Sequence, residues 1–315
     1  MDSSLLSIRS WIGLFIIALL VACNDDSAID ISLSTPKDST KTEDKPQTSS
    51  IYTFGFDPRS TPQEDARQYL PFLKYLERST GYKFTLRFTH KNANIVDDIG
   101  TDVLDFAAIG ATSYIYAREV HDYPITPIAR GVNMQGEATY RTYFVVHPDS
   151  NITSLSQIPG HAFAFGSKTS TQGHLIPRIV MLQNDISLAQ LSRYEYTGSH
   201  INCANAVVSG RVDVCGMQDT MADTMANQGL LKILHRSNYY PSSGIVANQR
   251  VDKQVITKVQ QALIKFRPTS KHSTNLYNWH KTEMPRGFIA ATEQDYIELK
   301  QWMRKLGFLE SKAGS

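Results

Sequence analysis

Cysteine is scarce in this 315-residue chain. The three present are too few for a disulfide scaffold. The basic residues do not gather in runs, and Lys+Arg 32 against Asp+Glu 30 leaves a formal charge of only +2. That balance lacks the electrostatic footprint of a nucleic-acid binder. The longest apolar run falls well short of the roughly 20 residues that a membrane-spanning helix needs. There is no Gly-x-Ser-x-Gly, no His-Glu-x-x-His and no clustered Cys/His spacing. The usual signatures of hydrolytic and metal chemistry are therefore missing, and no cofactor is implied. No internal repeat is visible either. What is present, 41% hydrophobic and 20% charged residues, is ordinary for a globular chain, and the length suits two domains.

The N-terminus is of a different kind. Trp11 to Val21 forms an unbroken apolar run of 11 residues, the length of a secretory h-region. It ends in Leu20-Val21-Ala22-Cys23, which resembles the lipobox of bacterial lipoproteins. That resemblance implies a signal peptide over 1–22, cleavage before Cys23 and lipid attachment at Cys23. Residues 24–50 lack aromatics and are dominated by Ser, Thr, Asp and Lys, so 23–50 is expected to be a lipidated Cys on a disordered tether. The 27 residues after Cys23 would reach at most about 90 Å and average about 30 Å as a flexible coil.

Charge divides along the same line. Residues 1–22 are neutral, with Asp2 and Arg9. The tether is −3, with Asp25, Asp26, Asp30, Asp38, Glu43 and Asp44 against Lys37, Lys41 and Lys45. The body from 51 to 315 is therefore +5, the total of +2 less the tether's −3. A modestly positive body favours anionic ligands.

From residue 51, strands and helices alternate. Strand patterns cover Ile51–Phe56, Lys83–Thr89, Val103–Ile109 and Ile125–Gly131. Helical patterns cover Pro62–Ser79, a short piece near Ala93–Ile99, and Ser113–Val120. This order argues for a parallel sheet covered by helices. A second series runs through Thr139–His147, Ala162–Phe165, His174–Leu182, Ala204–Ser209, Val212–Cys215 and Leu231–His235. It is followed by the apolar Gly244–Asn248 and helices Lys253–Phe266 and Gln294–Leu306. Two α/β lobes are expected, 51–138 plus 245–315 and 139–244, with crossings near 132–139 and 238–246 and a ligand between them.

Two stretches carry the chemistry. In Phe165 to Pro177 a buried strand ends, a polar Ser/Thr loop follows and a helix begins. Free N–H groups and the helix dipole there favour an anion, with Ser170 and Thr171 as added donors and Gly173 permitting close approach. The same residues also make an ordinary helix cap, and the local sequence does not separate the two. A phosphate-binding P-loop is excluded, because Ser167 intervenes between Gly166 and Lys168. In the second stretch His200 sits at a loop-to-helix junction, where an imidazole can donate to an oxyanion.

Together these stretches resemble the phosphonate/phosphite/phosphate substrate-binding proteins of bacterial ABC transporters. The family's Ser-Thr-Ser-Gly-x-Leu-x-Pro loop is similar to Ser170-Thr171-Gln172-Gly173-His174-Leu175-Ile176-Pro177. Its Gly-x-His, Ala-Val and Gly-x-Val-Asp match Gly198-Ser199-His200, Ala206-Val207 and Gly210-Arg211-Val212-Asp213. Its Asp-x-Ala-x-x-Gly-x-x-Ser/Ala stretch is similar to Asp105 to Ser113, and Ser237 with Pro241 matches its closing Ser-x-x-x-Pro. The resemblance covers roughly residues 51–310. It implies an α/β, two-lobed periplasmic-binding-protein-like (Venus flytrap) fold with mixed sheets, helices on both faces and two hinge crossings.

It also implies that Ser170, Thr171 and His200 hold an oxyanion, with Tyr140 approaching from the hinge. Gln172 stands where the family has a third loop Ser, Asn92 where aminoalkylphosphonate binders carry a Tyr, and Ser113 lies near the site. The two carboxylates that those binders place around an ammonium fall on Thr220, with Asp219 adjacent, and on Ser243. Their loss argues for phosphate, phosphite or a small non-amino phosphonate. Cys203 and Cys215 flank one expected turn, and an exported protein permits a disulfide. Two small buried side chains are the alternative. Most Tyr and Phe read as core, with Tyr239-Tyr240 either packing or lining the cleft.

The function expected is a membrane-anchored, monomeric binding protein facing the periplasm that delivers its anion to an ABC permease. A sensory lipoprotein of the same fold is the second reading. An enzyme is the least supported.

Overall fold

The computed structural model describes residues 30–31, 50–56, 62–89 and 94–309. Cys23, Asn92 and the signal segment 1–22 lie outside the described residues, as does the tether apart from 30–31 and 50. In chain order the first elements are β1 (Asp30–Ile31), β2 (Ile51–Phe56), α1 (Pro62–Thr80), β3 (Lys83–Phe88), α2 (Ile95–Gly100), β4 (Phe106–Ile109), α3 (Ala111–Glu119) and β5 (Ile125–Gly131). A short β6 (Thr139–Tyr140) leads to β7 (Thr142–Val146), β8 (Ala162–Phe165), α4 (Ile176–Gln183), β9 (Arg193–Tyr196), α5 (His200–Val208), β10 (Val214–Gln218), α6 (Asp219–Asn227) and β11 (Lys232–Arg236). The chain returns through β12 (Tyr240–Pro241) to β13 (Gly244–Asn248), α7 (Lys253–Lys265), β14 (Phe288–Ala290) and α8 (Ile297–Lys305).

Two sheets define two lobes. The first has order β1-β3-β2-β4-β13-β5-β14, the second β11-β7-β10-β8-β9. The β-α rhythm predicted parallel strands, and β2 is indeed parallel to β3 and β4. However, β13 lies antiparallel between β4 and β5. It re-enters from the other lobe, so it cannot follow the direction that a helical crossover would impose. Both crossings meet in a two-stranded ribbon, where Tyr140 pairs with Tyr240 and Thr139 with Pro241. Tyr240 is buried there, whereas Tyr239 is exposed with the Arg141 guanidinium over its ring.

The first lobe is held on one face by an aromatic core. On α1, Tyr69, Phe72, Leu73 and Leu76 recur at helical spacing and are all buried. Phe56 stacks on Tyr69 with centroids 3.8 Å apart, and Phe72 stacks on Trp279 at 5.1 Å. This burial outweighs Pro71, which sits inside α1 and alone would break it by about 3 kcal/mol. The other face is covered by α2, α3 and α8, whose apolar residues form one cluster with Phe163, Phe165, Leu175 and Ile176 of the second lobe.

Two connections fall outside the expected plan. The tether segment is not wholly without structure: β1 pairs antiparallel with β3, Asp30 opposite Arg87 and Ile31 opposite Leu86. In addition, the chain beyond α8 reaches the second lobe. Phe308 stacks on the His174 ring at 4.9 Å, and the Arg178 guanidinium lies 5.6 Å from the Phe308 centroid.

Candidate functional site

Between the lobes lies a cleft of about 560 Å³. On the second lobe it is lined by the loop after β8, including Ser170, Thr171 and Gln172, and by Ser199, His200 and Gln218. The other side is formed by Gly110 and Ser113 of the α3 start, Ser243 before β13, and Tyr140 of the hinge ribbon.

The Ser/Thr loop does not enter a plain α-helix. Thr171–Leu175 is a π-turn, in which the Leu175 N–H donates to Ser170 O at 3.1 Å, and α4 follows it. Such wide turns recur at functional sites. The Gly173 N–H is capped by Ser170 Oγ at 2.9 Å. Gly173 is required by proximity. A Cβ there would meet Gly166 Cα at 3.0 Å and His200 Cε1 at 3.1 Å.

The Ser170 and Thr171 hydroxyls each already accept a bond, which leaves a proton to donate. Thr171 Oγ1 accepts the Thr112 backbone N–H at 2.9 Å, and this bond joins the lobes. His200, the first residue of α5, accepts the Gln218 N–H at Nδ1 at 3.3 Å. A neutral ring therefore carries its proton on Nε2 and is a donor. Tyr140 is 6% exposed, and its buried Oη makes no well-formed hydrogen bond among the described residues, although the Thr171 and Ser243 hydroxyls and the Ala111 backbone lie beside it. Burial raises its pKa, so the phenol stays protonated.

Of the residues picked out in the sequence, Ser113, Tyr140, Ser170, Thr171, Gln172 and His200 line one cleft. Asp219 does not. It starts α6 behind Gln172, where its carboxylate accepts the Thr220 N–H at 2.8 Å, the Arg141 N–H at 3.2 Å and Gln172 Nε2 at 3.3 Å. Burial raises its pKa despite those bonds. Thr220 is exposed and outside the cleft, while Ser243 lines it. Cys203 and Cys215 are disulfide-bonded, Cα to Cα 5.8 Å, between α5 and β10.

Sequence reasoning missed a set of acids. Glu64 and Asp65 of α1, together with Glu283, reach the cleft, alongside Lys281, Gln68 and Asn278. Asp65 is 2% exposed. Among the described residues, this side of the cleft is lined by three carboxylates and the Lys281 ammonium, with Arg67 paired to Glu64 at 3.7 Å. Their only early signal was Glu64-Asp65 in the first turn of α1, which also suits the helix dipole. Among the described residues, no group of His, Cys, Asp and Glu is arranged to hold a metal, and no helix is long and apolar enough to cross a membrane.

The chain is 27% identical over 259 residues to the phosphate-import protein PhnD of Mycolicibacterium smegmatis, covering 78% of this chain and 79% of that one. It is 26% identical over 233 residues to the phosphonates-binding periplasmic protein of Escherichia coli, covering 71% and 68%. Its fold is similar to that of PhnD1 from Prochlorococcus marinus in complex with methylphosphonate. That match has a TM-score of 0.70 and 19% identity and covers 82% of this chain and 98% of the other. Residues 54–296 match the family described as ABC transporter, phosphonate, periplasmic substrate-binding protein, and the chain belongs to that family.

Proposed function

We propose that the protein captures a phosphorus oxyanion between its lobes and passes it to an ABC permease, as a monomer held to the membrane by lipid on Cys23. The observation that carries this reading is the buried Tyr140 Oη, which makes no well-formed hydrogen bond, in the cleft that Ser170, Thr171 and His200 also line. A buried hydroxyl without such a bond is costly, and an oxyanion among these residues would satisfy it. Closure would then exchange the anion's hydration for fixed donors.

The volume exceeds the needs of a bare phosphate. Thr220 and Ser243 lack the carboxylates that would grip an ammonium, but Glu64, Asp65 and Glu283 bring carboxylates to the cleft from other elements. We therefore extend the ligand class to phosphonates whose substituent carries ammonium or hydroxyl donors.

Calorimetric titration with phosphate, phosphite, methylphosphonate, 2-aminoethylphosphonate and sulfate tests both points. Binding of phosphorus ligands and rejection of sulfate is expected, with aminoethylphosphonate tighter than methylphosphonate. Flat traces for every phosphorus ligand would sink the reading. Equal affinities for the two phosphonates would remove the role of the acidic wall alone.

A further inference from the structure

Gln172 is 3% exposed and lines the cleft where the resembling loop has a serine. Its amide is fixed from behind. Nε2 donates to Arg141 O at 2.9 Å and to Asp219 Oδ1 at 3.3 Å. Both amide hydrogens are thereby used. The amide cannot be turned over, because its carbonyl oxygen would then face two acceptors. Its backbone is fixed too, since Gln172 O accepts the Thr142 hydroxyl at 2.7 Å. The polar atom of the amide left over is Oε1, an acceptor on a residue that lines the same cleft as Ser170, Thr171, Tyr140 and His200.

An acceptor has no use for a fully deprotonated phosphonate oxygen, but it matches P–O–H. We propose that Gln172 sets the protonation state of the ligand, so that the cleft takes the monoanion R–PO3H−, whose proton is donated to Gln172 Oε1, in preference to the dianion. The charges around the site agree. Asp219 stands behind the amide, while Glu64, Asp65 and Glu283 line the cleft, with Lys281 the one ammonium of the lining among the described residues and Arg67 paired to Glu64. Such a wall repels a second negative charge. The inference rests on the phosphorus-oxyanion reading above and adds which form of that anion is bound.

The other titratable groups near Gln172 are His200 on α5, Tyr140 on β6, His174 and Lys168 on the loop, and Arg141 beside β6. A pH profile with one ligand would mix their titration with that of the ligand. The test therefore uses two ligands, methylphosphonate and the more acidic chloromethylphosphonate, titrated into the protein across pH. The affinity of each is expected to fall about tenfold per pH unit above its own second ionisation, the slope of one bound proton. The break should shift to lower pH for the chloro compound. Methanesulfonate, which carries no such proton, should not bind. Gln172→Ser should flatten the slope and admit the dianion.

A break at one pH for both ligands, affinity that rises as the ligand loses its proton, or methanesulfonate binding as tightly as methylphosphonate each overturns the proposal alone. Absence of binding by both phosphonates at every pH overturns the oxyanion reading and the proposal with it.

Discussion

The backbone N–H of Thr112 on the first lobe donates to the hydroxyl of Thr171 on the second at 2.9 Å, so one side chain of the Ser/Thr loop also joins the lobes. Thr171→Val keeps the shape but removes the acceptor and strands the buried N–H. Binding should weaken by about 1–3 kcal/mol, roughly 5- to 150-fold. Calorimetry on the folded variant checks this, and unchanged affinity would move the anion away from this loop.

His200→Ala removes the imidazole donor at the start of α5, at a half-buried position. The ring accepts the Gln218 N–H at 3.3 Å, and the substitution is expected to weaken ligand binding by about 1–3 kcal/mol. A variant that melts early yet binds normally would instead assign His200 to structure.

The melting temperature should fall on mild acidification, because of His174. This buried ring contacts Lys168 O through Nδ1 at 2.8 Å and Tyr196 Oη through Nε2 at 3.0 Å, an arrangement that suits the singly protonated imidazole. Burial lowers its pKa to about 4, below the unfolded value near 6.5. The unfolded chain thus takes up the proton first. Stability present above pH 6.5 is lost as pH falls towards 4, by about 3 kcal/mol in total. His174→Gln should flatten that part of the melting profile. An unaltered slope would assign it to another group.

Reduction of Cys203–Cys215, or replacement of both by Ser, should destabilise the second lobe. The sequence separation is 12, a loop whose closure is worth about 2–3 kcal/mol. Thermal melts with and without reductant measure it. Equal melts would show that the bridge contributes little beyond two buried sulfurs.

Much of the fold was legible because its strands are short buried apolar runs and its helices carry apolar stripes, as in Ile125–Gly131 and α7. Strand β9 escaped because it is an edge strand, and Arg193–Tyr196 is exposed at its first two residues, so no buried run announces it. Helix α6 escaped because Asp219 and Thr220 read as loop residues, while only Ala222 and Met225 are buried. The Ser/Thr loop of the cleft was visible because the loop and helix start that build it are consecutive in the chain. The acidic wall was not. Glu64, Asp65 and Glu283 come from distant parts of the chain, and only the sheet order brings them to the same cleft as Gln172. Strand β1 did leave a trace, since Ile29, Ile31 and Leu33 alternate with polar residues within an otherwise polar segment.

That small strand changes how far the body could stand from a lipid on Cys23. The tether measured from Cys23 to residue 50 would allow excursions of about 90 Å. With Asp30 paired to Arg87, only six residues lie between Cys23 and the edge of the first sheet, a span of at most about 25 Å. Whatever fixes Cys23 is moored on a short line to β3, which would keep the first lobe close to its berth and make the second lobe the one free to travel.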